Sequence, residues 1–309
     1  MTRGLRFNIA MTLMMITVSV GWALATGFAL PPLDFFLLQG LVTGVFGSAA
    51  LVYVFLRPDP QVARLMANIV IGFWFAGFGI LFSYLCATID RPLVDAELAA
   101  IDRALGIDWP AMVSWAARKP LIVEWARFVY DRPFSEPLVI LVLLAVLRRP
   151  DRVEELVSCV IISAVLTAII GALLPADSGY AYFRIPNDVF TSLKAVVTPD
   201  YLQHFHGLRD GTMRSVVVGD VRGLVAFPSY HTCFALLLSH ALRDYKLLLI
   251  PSLIVNFAVI ATTPLIGAHY VIDLAGGFAI ASFAVWLVGL INRETVSAAT
   301  KKVPQPVSA

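Results

Sequence analysis

Two short stretches of this sequence hold residue types able to do covalent or proton-transfer chemistry. FPSYH, residues 227–231, sets Ser229 and His231 at the head of a mostly apolar run, and GAHYVID, residues 267–273, sets His269 and Asp273 at the head of another. A titratable imidazole is costly in hydrocarbon, so at such a depth it is usually paired, cavity-facing or functional. His269 and Asp273 are four residues apart, which on a helix stacks both side chains on one face. There the carboxylate accepts a hydrogen bond from one ring nitrogen, fixes the tautomer and stabilises the cationic ring, leaving the other nitrogen to attack an electrophile.

The elements that position these residues must be membrane helices. Hydrophobic residues make up 59% of the chain and charged residues 14%, with a mean hydropathy of +0.82, which excludes a soluble domain. Uncharged stretches of roughly 20 residues recur, each able to cross about 30 Å of hydrocarbon as a helix. The expectation is an all-α polytopic bundle of about eight transmembrane helices, at residues 8–30, 34–56, 67–88, 133–147, 154–175, 228–242, 247–264 and 268–291.

With those crossings, Arg3, Arg6, Arg57, Arg64, Arg148, Arg149, Arg152, Arg243, Lys246, Arg293, Lys301 and Lys302 all fall on one side, in short connections or termini. The short opposite connections near Pro31 and Gly267 have no Lys or Arg. Both termini are therefore expected in the cytoplasm and both histidine motifs on the outer face, in a cell inner membrane. The first apolar run exceeds the about 7–15 residues of a signal peptide and reads as a retained anchor. A net charge of +2 suggests no nucleic-acid partner. Cys86, Cys159 and Cys233 fall inside spans and read as free thiols rather than a disulfide or metal cluster.

Two long outer loops hold most of the remaining polar residues. The first, residues 89–132, mixes apolar and charged residues as surface-lying helices do, with Trp109, Trp115 and Trp125 suited to the interface, and reads as a structural lid. The second, residues 176–227, carries Arg184, Lys194, His204, His206, Arg209, Arg214 and Arg222 and ends at the first motif. Span order starts the helices of His231 and His269 on one face, where two helix N-termini would cradle a phosphate. His240 lies about 13 Å deeper than His231 and reads as a packing histidine.

FPSYH with GAHYVID resembles the second and third motifs of the type 2 phosphatidic acid phosphatase superfamily, nearest to its inositol phosphorylceramide synthase branch. The matching residues are Pro228, Ser229, His231, His269 and Asp273, and the resemblance covers roughly residues 130–292. It implies a six-helix catalytic core. The expected organisation is then N-terminal helices over 1–90, an outer interfacial loop over 91–132, the core over 133–292 and a cytoplasmic tail over 293–309. The resemblance also implies a membrane phosphatase or phosphotransferase that uses no cofactor or metal. Its substrate is a lipid phosphate in the bilayer, and the acceptor is water or a lipid alcohol. His269 corresponds to the nucleophile that becomes a phosphohistidine, Asp273 to its orienting carboxylate, His231 to the general acid, and Ser229 to a phosphate contact.

The family's Ser-Arg pair falls on Thr262 and Thr263, and no KxxxxxxRP motif lies in the loop before FPSYH. Arg132 and Pro133 form an RP pair one outer loop earlier, with Trp125 at the lysine position. Phosphoryl transfer needs cationic or amide groups around spread negative charge. Arg209 and Arg214 are therefore the expected phosphate-binding residues, with Lys194 and Arg222 as substitutes. Three other readings use the same residues. One is a metal hydrolase ligated by His231, His269 and Asp273, joined by His204 and His206. Another is an intramembrane peptidase on Ser229, against which stands the lack of a GxSxG elbow. The third is a lipid transporter or binding protein without chemistry.

Overall fold

In a computed structural model, which describes residues 1–130, 136–193, 199–216 and 223–300, every regular element is helical. Helix α1 (Arg3–Thr26) starts at Thr2, whose hydroxyl accepts the Leu5 amide, and stops at Gly27 in the left-handed conformation. Next come α2 (Leu33–Val42), a widened turn over Thr43–Gly47, and α3 (Ser48–Phe55), which make one rod. Helix α4 (Pro60–Ala87) is capped by Asp59, with Pro60 in its first turn, where a missing amide proton costs nothing. Three short helices follow, α5 (Asp95–Ala104), α6 (Trp109–Ala117) and α7 (Pro120–Tyr130), and then α8 (Glu136–Val146) and α9 (Pro150–Leu173). The second long connection holds α10 (Gly179–Tyr182), α11 (Asn187–Leu193) and α12 (Pro199–Arg209). Helices α13 (Tyr230–Ala241), α14 (Lys246–Ile266) and α15 (Val271–Thr300) complete the described residues.

Among the described residues six helices are long and apolar enough to cross a membrane: α1, the α2–α3 rod, α4, α9, α14 and α15. The protein is an integral membrane protein. Two of the expected spans are shorter, because α8 has 11 residues and α13 has 12. At 1.5 Å per residue each extends less than about 20 Å. Both are packed against longer neighbours, with Ile140 and Leu144 of α8 and Leu237 and Leu238 of α13 in one cluster with Val153 and Leu156 of α9.

Lipid offers no hydrophobic drive for helix association, so close packing and buried polar bonds must hold the bundle. The Asn8 side chain of α1 donates to the Asn68 side-chain Oδ1 of α4 (3.1 Å) and accepts from Ser158 of α9 (2.7 Å). At the same end, Glu154 accepts from Thr2 (2.7 Å) and pairs with Arg64 (2.9 Å). Glu155 pairs with Arg152 and Arg243, and Asp244 pairs with Arg149 and Arg152. His240 also lies there, 3.6 Å from Glu155, and is no part of the opposite rim. Of the basic residues expected on one side, Arg64, Arg148, Arg149, Arg152 and Arg243 thus pair with carboxylates at one end of the bundle. Cys86, Cys159 and Cys233 are free and buried, as expected.

The opposite end is covered by the described parts of residues 89–132 and 176–227. Helix α7 packs along α14, burying Val123, Ala126, Val129 and Tyr130 while Leu121, Trp125 and Phe128 face outward. Trp115 and Trp125 are exposed, as interfacial indoles are, but Trp109 is not. It is 1% exposed, sandwiched near Tyr180 and Phe183, with its indole nitrogen bonded inside the protein.

Candidate active site

Ser229 starts α13, its hydroxyl accepting from the Thr232 amide (3.3 Å) and the Thr232 hydroxyl (3.2 Å). This is an ordinary N-cap. The Ser229 amide donates to the Asp273 carbonyl (3.0 Å), which joins the FPSYH and GAHYVID stretches directly. Further down, α15 presents Gly276 to the side chains of Phe227 and Pro228 and Gly277 to the start of α13. A Cβ on Gly277 would lie 2.3 Å from the Ser229 carbonyl oxygen, so only glycine allows this approach.

The approach brings the histidines together. The His231 and His269 rings meet edge to face, centroids 6.3 Å apart. Nδ1 of His269 lies 3.2 Å from Oδ2 of Asp273, which also accepts the Tyr270 amide (2.8 Å). His269 is 5% exposed and Asp273 is fully buried. Nδ1 is the nitrogen turned to the carboxylate, on the one face that the four-residue spacing predicts.

Tyr130, the last residue of α7, was not singled out by its sequence context. Its ring stacks on His231 with centroids 4.4 Å apart, and its hydroxyl lies 3.3 Å from His231 Nδ1. The hydroxyl also sits where a Cβ on Gly267 would come within 2.5 Å of it. The one signal available was position, since Tyr130 directly precedes the Asp131-Arg132-Pro133 segment. Residues 131–133 lie outside the described residues, as do Lys194 and Arg222.

The turn carrying His269 is held almost group by group. The Ala268 carbonyl, on a residue at φ 59°, accepts the Gly179 amide (3.1 Å), and the His269 carbonyl accepts the Trp109 indole (2.9 Å). The Tyr270 hydroxyl donates to Asp95 (2.9 Å). The Val271 and Ile272 amides donate to Asp102 at 2.8 and 2.9 Å. Those amides were expected to help cradle a phosphate; at α15 a lid carboxylate takes them instead. The lid is therefore more than a cover. Asp95, Leu98, Ala99 and Asp102 are the buried residues of α5, and their three-and-four spacing was the readable sign of an inward face.

The arginines expected to bind phosphate are engaged elsewhere on this end. Arg209 bonds Asp90 (2.8 Å) and the Arg91 carbonyl and lies over the Phe205 ring. Arg214 bonds the Thr26 carbonyl (2.6 Å) at the end of α1 and the Gly211 carbonyl (3.3 Å). Thr262 and Thr263 are buried and turn their hydroxyls back to the Val259 carbonyl. His206 pairs with Asp177 at 3.1 Å instead of joining His231 and His269. Burial pushes the Asp177 carboxyl above its ordinary range, with His206 pulling the other way and Asp95 adding to the rise. Among the described residues no three His, Cys, Asp or Glu side chains gather as a metal ion would need.

The family model described as the PAP2 superfamily matches residues 96–287. That is more than half the chain and starts inside α5, so it takes in most of the lid as well as both histidine motifs. No curated protein and no solved structure matches the chain. A buried His–Asp pair facing a second histidine, within a stretch matched this broadly, leads to one conclusion: this integral membrane protein belongs to the PAP2 superfamily and is an enzyme of the phosphoesterase kind.

Proposed function

We propose that the chain cleaves a lipid-linked phosphate ester through a phosphohistidine on His269. Nε2 of His269 attacks phosphorus, the ester P–O bond breaks, and His231 gives its proton to the departing alcohol oxygen. Water or a lipid alcohol then attacks phosphorus, returns a proton to His231, and the P–N bond breaks. Asp273 orients His269 and offsets the positive charge its ring gains, and Tyr130 orients His231. The observation that carries this reading is the 6.3 Å approach of two imidazoles, each with its Nδ1 side occupied by another residue. One phosphate group spans that separation.

The lipid tail stays among the helices while the head group reaches the covered end. The concentration of arginine at the other end favours placing that end and both termini in the cytoplasm, with the site at the outer leaflet of a cell inner membrane. Transfer to a lipid alcohol is the second reading, favoured by the likeness of FPSYH and HYVID to the inositol phosphorylceramide synthase branch.

Reconstituted protein incubated with a panel of phospholipids and prenyl diphosphates, with and without ceramide or diacylglycerol, tests both. Release of phosphate without acceptor identifies hydrolysis, and a new phospholipid formed only with acceptor identifies transfer. A lipid transporter releases nothing in either arm, and that result would overturn the reading.

A further inference from the structure

The lid helix α5 contributes two buried carboxylates, Asp95 at 4% and Asp102 at 1% exposure, with no cation beside either among the described ion pairs. Each is satisfied instead by neutral donors. Asp102 takes the Val271 and Ile272 amides, and Asp95 takes the Tyr270 hydroxyl together with the Asp177 (2.9 Å) and Ser178 (3.1 Å) amides. Burying an ionised carboxylate without a counter-charge is costly unless fixed donors compensate. A serine or asparagine would cap α15 at no such cost, with one acceptor oxygen in place of two. What a neutral cap lacks is the second acceptor and the charge.

That charge sits where the proposed chemistry creates a cation. The start of α15 carries the positive end of its helix dipole, which opposes positive charge on an imidazole one or two residues upstream. Asp273 offsets this from within the helix, and Asp102 does so from outside, through the first two amides of α15.

We propose that Asp102 and Asp95 are positioning residues for His269. Asp102 fixes the start of α15 and supplies negative charge against the dipole, and Asp95 fixes Tyr270 and ties the turn to the Asp177–Ser178 loop. The extramembrane lid is on this basis a working part of the site. The inference rests on His269 being the nucleophile, and it adds that the covering helix sets the nucleophile's geometry and charge.

Asp102→Asn and Asp95→Asn in the full-length reconstituted protein test it, with Asp102→Glu as the charge-preserving control. Asn keeps the size of Asp102 but points an N–H at one of two amides and removes the charge. The expected result is a fall in kcat of about 10²-fold for Asp102→Asn with KM little changed, the loss typical of a misplaced reacting group. Asp102→Glu recovers part of it, and hydrogen exchange at Val271 and Ile272 accelerates in Asp102→Asn alone. Wild-type kcat in both Asn variants would overturn the proposal. So would a loss in Asp102→Asn that comes with collapse of the melting temperature and is not relieved by Asp102→Glu. If the wild type turns over no lipid phosphate the proposed reaction fails, while unchanged exchange at residues 271 and 272 in Asp102→Asn would overturn the positioning role separately.

Discussion

His231 and His269 meet with their ring planes at 68° and centroids 6.3 Å apart, although 38 positions separate them in the chain. If one is nucleophile and the other acid, their losses differ in kind. His269→Ala abolishes turnover and leaves no acid-labile phosphoenzyme in rapid-quench experiments. His231→Ala lowers kcat on a lipid ester by about 10²–10⁴-fold, the usual contribution of a positioned acid. An aryl phosphate, whose leaving group needs no proton, recovers most of that loss. Equal losses on both substrates would remove His231 from the acid role.

Tyr130 gives a finer test of the same arrangement. Its hydroxyl lies 3.3 Å from His231 Nδ1 and its ring stacks on the imidazole. Tyr130→Phe keeps the stack and removes the hydrogen bond to His231, worth about 1 kcal/mol, so kcat should fall roughly fivefold. Tyr130→Ala removes both and should cost clearly more. Equal kcat for Phe and wild type in steady-state assays would show that the hydroxyl does not set the tautomer of His231.

These relationships were unequally legible in the sequence. The His269–Asp273 pair and the pairing of FPSYH with GAHYVID could be read because both depend on local spacing and on span direction. The long spans could be read for the same reason, since an uncharged run of sufficient length is its own signal. The short helices α8 and α13 could not be sized, because apolarity does not say whether a run crosses lipid or packs against protein. Tyr130, Asp95, Asp102 and Trp109 each lie more than 100 residues before the residue they contact in the two motifs, and no periodicity links them to it. The choice of Arg209 and Arg214 followed charge and proximity in the chain. Their guanidinium partners, Asp90 and the Thr26 carbonyl, become visible only once α1, α4 and α12 are assembled.

At the other end of the bundle, Asp244 accepts from Arg152 and Arg149, and these hydrogen bonds hold its carboxyl below the ordinary value of 3.8 against partial desolvation. A folded-state value below the unfolded one means a stabilising contribution present in full above that ordinary value. It is lost as pH falls through the folded value. Asp244→Asn should therefore lower the melting temperature in detergent at neutral pH by a small amount, since the pair is largely solvated. The variant should also lose less further stability than the wild type below pH ~4. A melting temperature that depends on pH identically in the two proteins would show that the Arg149–Asp244–Arg152 cluster is only decorative.

The backbone contact between α13 and α15 should be the least forgiving feature of the site. A methyl group on Gly277 would meet the Ser229 carbonyl oxygen at 2.3 Å and Cβ of Thr232 at 2.9 Å, and neither can move away as a flexible side-chain tip can. Gly277→Ala must push the two helices apart, at a cost of about 1–3 kcal/mol. The separation also strains the Ser229 amide bond to the Asp273 carbonyl and opens the distance between the histidines. Gly289 lies further along the same helix with nothing within 4 Å of its added Cβ, so Gly289→Ala is the matched control. The expected outcome is a lower melting temperature and a deep loss of kcat for Gly277→Ala, and neither for Gly289→Ala. Full activity in Gly277→Ala would mean that the two imidazoles need not be held at their observed separation for turnover.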